Sequence, residues 1–149
     1  MKPIKVSAEH DYEVVFVDDW KKTFTDVVAL HSKVLVIAPN ELVIKFKLDS
    51  LESPNVKVIA TPSGEAAKSP EYLLQLWEAC ASFGLTRSDA IVGIGGGSTT
   101  DLAGFVGATW LRGIHWYAIP TSLAGMVDAS IGGKTGINSS HGKNLIGAF

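Results

Sequence analysis

A chain of 149 residues, 46% hydrophobic and 19% charged, has room for one domain with a sizeable core. Its net charge of −2 gives no basic field for a polyanion, so nucleic acid is excluded as the expected partner. Cys80 is the one cysteine, which excludes an intrachain disulfide and a cysteine-built zinc site. It lies on the apolar stripe of a helical pattern and reads as core. No apolar leader follows Met1 and no run approaches a membrane span, so the sequence reads as cytoplasmic, with no membrane partner.

In chain order, strand and helix patterns alternate. Tyr12–Val17 is a β-branched and aromatic run, and Asp18-Asp19 offers a helix cap ahead of a pattern whose Trp20, Phe24, Val27, Val28 and His31 share one face. Lys33 to Pro39 is a nearly all-apolar strand of the kind buried on both faces of a parallel sheet. Glu41 to Ser50 fits helix or strand locally, and the alternation of elements favours helix. Asn55 to Ala60 is a third strand, closed by a turn around Pro62 and Gly64. Pro70 suits a helix start, Leu73, Leu76, Trp77 and Cys80 form its stripe, and Gly84 ends it.

The strand Ala90–Ile94 then runs into Gly95, Gly96, Gly97 and Ser98, followed by a helical pattern from Thr99 to Arg112 that Gly113 terminates. A further strand, His115 to Pro120, leads into a short helix and a glycine-punctuated loop up to Asn144. This order implies an α/β fold, Rossmann-like and doubly wound, with a mainly parallel sheet and ligands at the C-terminal ends of its strands.

The stretch AIVGIGGGSTTD, Ala90 to Asp101, has the form of a strand, a tight turn and a helix N-terminus, where free N–H groups and the helix dipole favour a phosphate. As a dinucleotide fingerprint it is a poor match, because Ser98 replaces the third glycine and no acidic residue follows at about 20 positions. A plain structural turn is the alternative. Polar groups at the other strand ends, namely Asn40, the Glu65 to Lys68 turn, Asp101 and Thr121-Ser122, favour one convergent crevice instead. Asp101 reads either as a dipole partner in the first helical turn or as a ligand residue. Lys134, between Gly132-Gly133 and Thr135-Gly136, is either a solvated loop lysine or a point charge for a phosphate. Lys143-Asn144 repeats a cation beside an amide. Arg112 can satisfy helix-end carbonyls. His10, His31, His115 and His141 show no metal-ligand spacing.

GGGSTTDLAGFVGATWLRG, IPTSLAGMVDASIGGKTGIN and HGKNLIGAF together resemble the N-terminal half of the 3-dehydroquinate synthase family, within the sugar phosphate cyclases, and SGEAAK at Ser63 to Lys68 resembles another segment of it. Many members have hydrophobic residues and a glycine where Ser98, Thr99 and Thr100 stand here. The resemblance implies an NAD-dependent carbon–oxygen lyase of the shikimate pathway. It would convert 3-deoxy-D-arabino-heptulosonate 7-phosphate, a small sugar phosphate, into 3-dehydroquinate and phosphate.

By the same resemblance NAD is held near Asn40, by Ser63, Gly64, Glu65 and Lys68, and by Gly96, Gly97, Ser98, Thr99, Thr100 and Asp101 at the pyrophosphate. Thr121 and Ser122 complete that set. Asp128, Lys134, Lys143 and Asn144 resemble residues at the nicotinamide and substrate side, with Lys134 and Asn144 near the phosphate and Lys134 and Lys143 also near the cofactor. Arg112 resembles a residue that reaches into a neighbouring subunit's site, implying a homodimer. The family's divalent metal, zinc or cobalt, is held by a Glu and two His of a helical C-terminal domain, so residues 1–149 are expected to be the NAD-binding N-terminal domain of a longer enzyme, inactive alone. The alternatives are a related sugar phosphate cyclase with another substrate and a non-catalytic NAD-binding module.

Overall fold

The computed structural model describes residues 2–7 and 11–149. His10, grouped above with the other histidines, lies outside the described residues. At the centre is a four-stranded parallel sheet in the order β4-β3-β5-β6, formed by β3 (Val34–Pro39), β4 (Val56–Thr61), β5 (Ala90–Gly95) and β6 (His115–Pro120). Ahead of it, β1 (Ile4–Val6) and β2 (Tyr12–Val14) make a small antiparallel pair. β1 has no counterpart in the sequence reading, and β2 stops at Val14, short of the expected Val17.

The apolar runs of β3 and β5 are buried along their whole length, and period-2 alternation divides their side chains between two cores. On one face Val34, Val36, Ala38, Val92 and Ile94 pack with Phe24 of α1 (Trp20–Ala29) and Leu48. On the other, Leu35, Ile37 and Ile91 pack with Leu73, Leu76 and Cys80 of α3 (Pro70–Phe83) and with Leu102, Phe105 and Val106 of α4 (Gly97–Thr109). Burial pushes the Cys80 thiol up to about 12, as suits a packing residue.

Helix ends follow their local chemistry. Asp19 caps α1 by accepting from the N–H groups of Lys21 and Lys22. Ser69 caps α3 with Pro70 behind it, and Gly84 ends it at φ 69°. The doubtful stretch after β3 is helical: α2 (Asn40–Phe46) is stopped by Lys47 at φ 53°, and a short 3-10 turn, Leu48–Leu51, follows. α4 approaches the sheet closely because Gly93 leaves room for it; a Cβ there would lie 2.6 Å from Ala103 Cβ.

The last part of the chain corrects the expected loop. Residues 135–148 form an antiparallel hairpin of β7 (Thr135–Ser139) and β8 (Gly142–Ala148), which packs on α4 through the buried Ile137. Only the preceding Gly125–Ala129 segment is a helical turn, of wide π type. The strands were illegible because TGINS and GKNLIGA are rich in glycine, asparagine and hydroxyls, with little apolar alternation. Close pairing explains one glycine: a Cβ on Gly136 would lie 2.7 Å from the Ile146 carbonyl oxygen.

Candidate functional site

Strand order reverses between β3 and β5, since the chain leaves β3 toward β4 but leaves β5 toward β6. In an open parallel sheet that reversal opens a crevice at the C-terminal strand ends. The in-register pairs Pro39 with Thr61 and Gly95 with Pro120 put those ends on one edge. Asn40, the Ser63 to Lys68 turn, the glycine turn and Thr121-Ser122 all follow directly from that edge.

α4 begins at Gly97, with Gly96 as its N-cap, two residues earlier than the apolar pattern indicated. No side chain caps it, so the amides of Gly97 and Ser98 stay available to an anion, while those of Thr99 and Thr100 donate to the Gly96 carbonyl. The earlier start corrects the first-turn reading of Asp101, which stands on the second turn. Its carboxylate accepts instead from the Lys68 ammonium at 2.6 Å. Thr99 and Thr100 face inward, only 2% and 0% exposed, and Thr100 Oγ1 donates to the Gly97 carbonyl. With their N–H groups also taken by the Gly96 carbonyl, both threonines shape the turn from its buried side, while Ser98 stays partly exposed.

Lys68 is the most unusual residue at this edge, a lysine only 1% exposed at the end of the Gly64–Ala67 3-10 turn. It donates to Asp101 and also to Asn144 Oδ1. Burying an ammonium is costly unless it is paired and hydrogen-bonded, and here it is both. Asn144 itself is left-handed, with φ 56°, a conformation asparagine tolerates better than most residues.

Asn138, which the sequence reading passed over, ties these parts together. Its Nδ2 donates to Glu65 Oε2 at 2.7 Å, its Oδ1 accepts from the Asn144 N–H at 2.9 Å, and its own N–H donates to the Lys68 carbonyl at 2.8 Å. Its only signal in the sequence was its place four residues beyond Lys134. Tyr12 was missed as well: its hydroxyl accepts from the N–H of Gly132, linking β2 to the glycine loop before Lys134.

Beside this cluster opens a cleft of about 290 Å³ lined by Asp101, Lys134, Thr135, Asn144, Ala148 and Phe149, among others. The structure thus brings Lys68, Asp101, Lys134 and Asn144 together, with Glu65 joined through Asn138. Lys143 is exposed on β8 and Asp128 on the Gly125–Ala129 turn, and neither lines the cleft. Asn40, Ser63, Gly64, Thr121 and Ser122 are exposed at the strand ends, where Ser122 Oγ accepts from the Gly125 N–H. Arg112 stands apart. α4 ends at Thr109 and Arg112 follows in a separate turn at φ 65°, so the run of the helix, about 20 Å, separates it from the glycine turn.

The uncapped amides of α4 and the side-chain-free Gly96 and Gly97 fit a dinucleotide pyrophosphate. Among the described residues no three His, Cys, Asp or Glu side chains gather as metal ligands. No described helix is long and apolar enough to cross a membrane.

Comparison with known proteins agrees with this geometry. A 3-dehydroquinate synthase of Streptomyces avermitilis is 60% identical over 91 residues, covering 61% of this chain and 25% of that protein. One of Pseudarthrobacter chlorophenolicus is 45% identical over 148 residues, covering 96% of this chain and 41% of its own length. The chain therefore spans less than half the length of these curated relatives. Among solved structures, the 2-epi-5-epi-valiolone synthase of Streptomyces hygroscopicus, with NAD⁺ and Zn²⁺ bound, superposes with a TM-score of 0.82 at 26% identity, covering 98% of this chain and 42% of that one. The family described as 3-dehydroquinate synthase N-terminal matches residues 58–149, most of the sheet and every part of the Lys68 cluster, and the chain belongs to that family.

Proposed function

We propose that residues 1–149 are the NAD-binding part of a 3-dehydroquinate synthase, whose reaction turns 3-deoxy-D-arabino-heptulosonate 7-phosphate into 3-dehydroquinate and phosphate. The observation that carries this reading is the buried Lys68, paired with Asp101 of the uncapped helix α4 and with Asn144, two residues that line the cleft together with Lys134. A nucleotide pyrophosphate and a sugar phosphate need two anion sites side by side, and this edge offers an amide cradle next to a lysine-lined cleft.

NAD, when bound, supplies a reversible hydride transfer that acidifies the carbon beside the oxidised ring position and so allows phosphate to leave. The chain's own residues position and polarise. Backbone amides at Gly96, Gly97 and Ser98 take the pyrophosphate, and the buried Thr99 and Thr100 hold the shape of that turn from behind. Lys68, Glu65 and Asp101 form the wall against which the dinucleotide lies, with Asn40, Ser63, Gly64, Thr121 and Ser122 along the strand ends. Lys134 presents a flexible cation to the substrate phosphate. Asp128, Lys143 and Asn144 belong to the substrate side in this reading, and Arg112, remote from the cleft, serves the site of a second copy in a homodimer.

The divalent metal of the family is assigned to residues beyond these, and none of the steps above passes through it. Phosphate release from the heptulosonate phosphate by the full-length protein, supplied with NAD⁺ and a divalent metal, tests the assignment. Release with no net accumulation of NADH is expected. Failure to release phosphate overturns the reading, and stoichiometric NADH points to a simple dehydrogenase.

A further inference from the structure

We propose that Asn138 is a positioning residue for the cofactor side of the cleft, acting through Asn144 and Glu65 on Lys68. The inference rests on the reading of Lys68 and Glu65 as NAD-binding residues.

Two of the three hydrogen bonds of Asn138 join two pieces of chain that share no strand pairing, and the third is internal to its own hairpin. One piece is the turn after β4, which carries Glu65 and Lys68; the other is the β7–β8 hairpin, which carries Asn144. The backbone N–H of Asn138 on the Lys68 carbonyl fixes the distance between them. The two halves of its amide then act in opposite directions. Oδ1 accepts the N–H of Asn144 at its left-handed φ, and Nδ2 donates to the Glu65 carboxylate.

The orientation of the amide is determined by these partners, since an N–H must meet the acceptor side and a carboxylate the donor side. Because Asn144 Oδ1 is itself a partner of Lys68, the chain of contacts runs Glu65, Asn138, Asn144, Lys68, Asp101. A side chain that holds Asn144 therefore sets where the ammonium sits. A bond lost here should move a cofactor contact rather than open the core, because Asn138 and Glu65 both lie outside the two apolar clusters.

NAD binding to the full-length protein, measured by titration calorimetry, and phosphate release at saturating NAD provide separate readouts. Asn138→Ala is expected to raise the Kd for NAD about tenfold while lowering kcat at saturating NAD by less than threefold. Pairing Asn138→Asp with Glu65→Gln restores a donor and an acceptor with reversed polarity and keeps an oxygen for the Asn144 N–H. The double variant should thus bind NAD more tightly than the product of the two single effects implies. Equal NAD affinity in wild type and Asn138→Ala, or strictly multiplicative effects in the cycle, would overturn the proposal. The cycle also decides the matter if the alanine variant is too unstable to assay. A wild type that binds NAD but releases no phosphate would overturn the assigned reaction alone and leave the positioning role standing on the Kd values. A wild type that binds no NAD would overturn both.

Discussion

The two edges of the parallel sheet are both rich in polar groups and use them in opposite ways. At the N-terminal edge every polar contact closes on the fold itself. Asp89, only 1% exposed, accepts from the N–H of Lys33 at 2.8 Å and from the N–H and hydroxyl of Thr86, both at 2.7 Å. Lys33 Nζ in turn donates to the Phe83 carbonyl at the end of α3. His31 donates through Nδ1 to the Ser88 carbonyl, and its Nε2 is hydrogen-bonded to the Tyr117 hydroxyl. Those groups bracket the entry of β3, β5 and β6.

At the C-terminal edge the network is left open. Lys68 is held by Asp101 and Asn144, and those two partners line a cleft together with the exposed Lys134, beside a helix whose start is uncapped. Among the described residues Lys134 and Lys143 have no ion-pair partner. Similar chemistry thus serves architecture at one edge and, in the function proposed above, a ligand at the other. Substitutions at each edge can break that distinction.

The largest expected effect is at Lys68. Lys68→Met keeps the length and removes the charge, leaving the Asp101 carboxylate and Asn144 Oδ1 without their donor. We expect the Kd of the full-length protein for NAD to rise by about 100-fold, with some loss of stability because a paired charge has lost its partner. If the melting temperature falls while the NAD affinity holds, Lys68 is a bracket like Asp89 and the two edges are alike.

Asp89 offers the complementary test. Burial alone would raise its carboxyl, but the bonds from Thr86 and Lys33, together with the Lys33 charge, outweigh burial and hold it below the usual carboxylate range. A carboxyl whose folded-state value lies below its unfolded value of about 4 stabilises the fold above that pH and loses its contribution as pH falls through the folded value. Asp89→Asn should therefore cost about 2 kcal/mol at pH 7, read as a lower urea midpoint. The gap to wild type should narrow near pH 3, and the Kd for NAD should not change. A variant that binds NAD more weakly at unchanged stability would erase the contrast between the edges.

How much of this was legible in the sequence follows the same division. The unbroken apolar runs of β3 and β5 and the capped starts of α1 and α3 have local causes, so composition and spacing sufficed to find them. Convergence of polar residues on one edge was also legible, because parallel strands must share a C-terminal end. What local reasoning missed depends on partners distant in sequence. Asp101 was placed in the first helical turn because the apolar periodicity began at Thr99, whereas Gly97 already carries helical backbone. The β7–β8 hairpin is stabilised by packing Ile137 against α4, a cause that its glycines and asparagines do not advertise. Asn138 sits in that hairpin, and its importance exists only once Glu65 and Asn144 are beside it.

Lys134 gives the smallest and most discriminating effect. It is exposed, lies after Gly132 and Gly133 at φ 89° and 70°, and lines the cleft without touching the Lys68 cluster through any hydrogen bond. A flexible surface cation facing a phosphate contributes as a point charge that solvent partly screens, so its removal should cost less than that of a buried, doubly bonded lysine. Lys134→Ala is expected to raise the KM of the full-length enzyme for the sugar phosphate about tenfold, to change the Kd for NAD by less than threefold, and to leave the melting temperature where it was. Added salt should shrink the KM difference, because the interaction lost is largely Coulombic. Equal losses for both ligands would place Lys134 on the cofactor instead, and the open edge would then present one anion site rather than two.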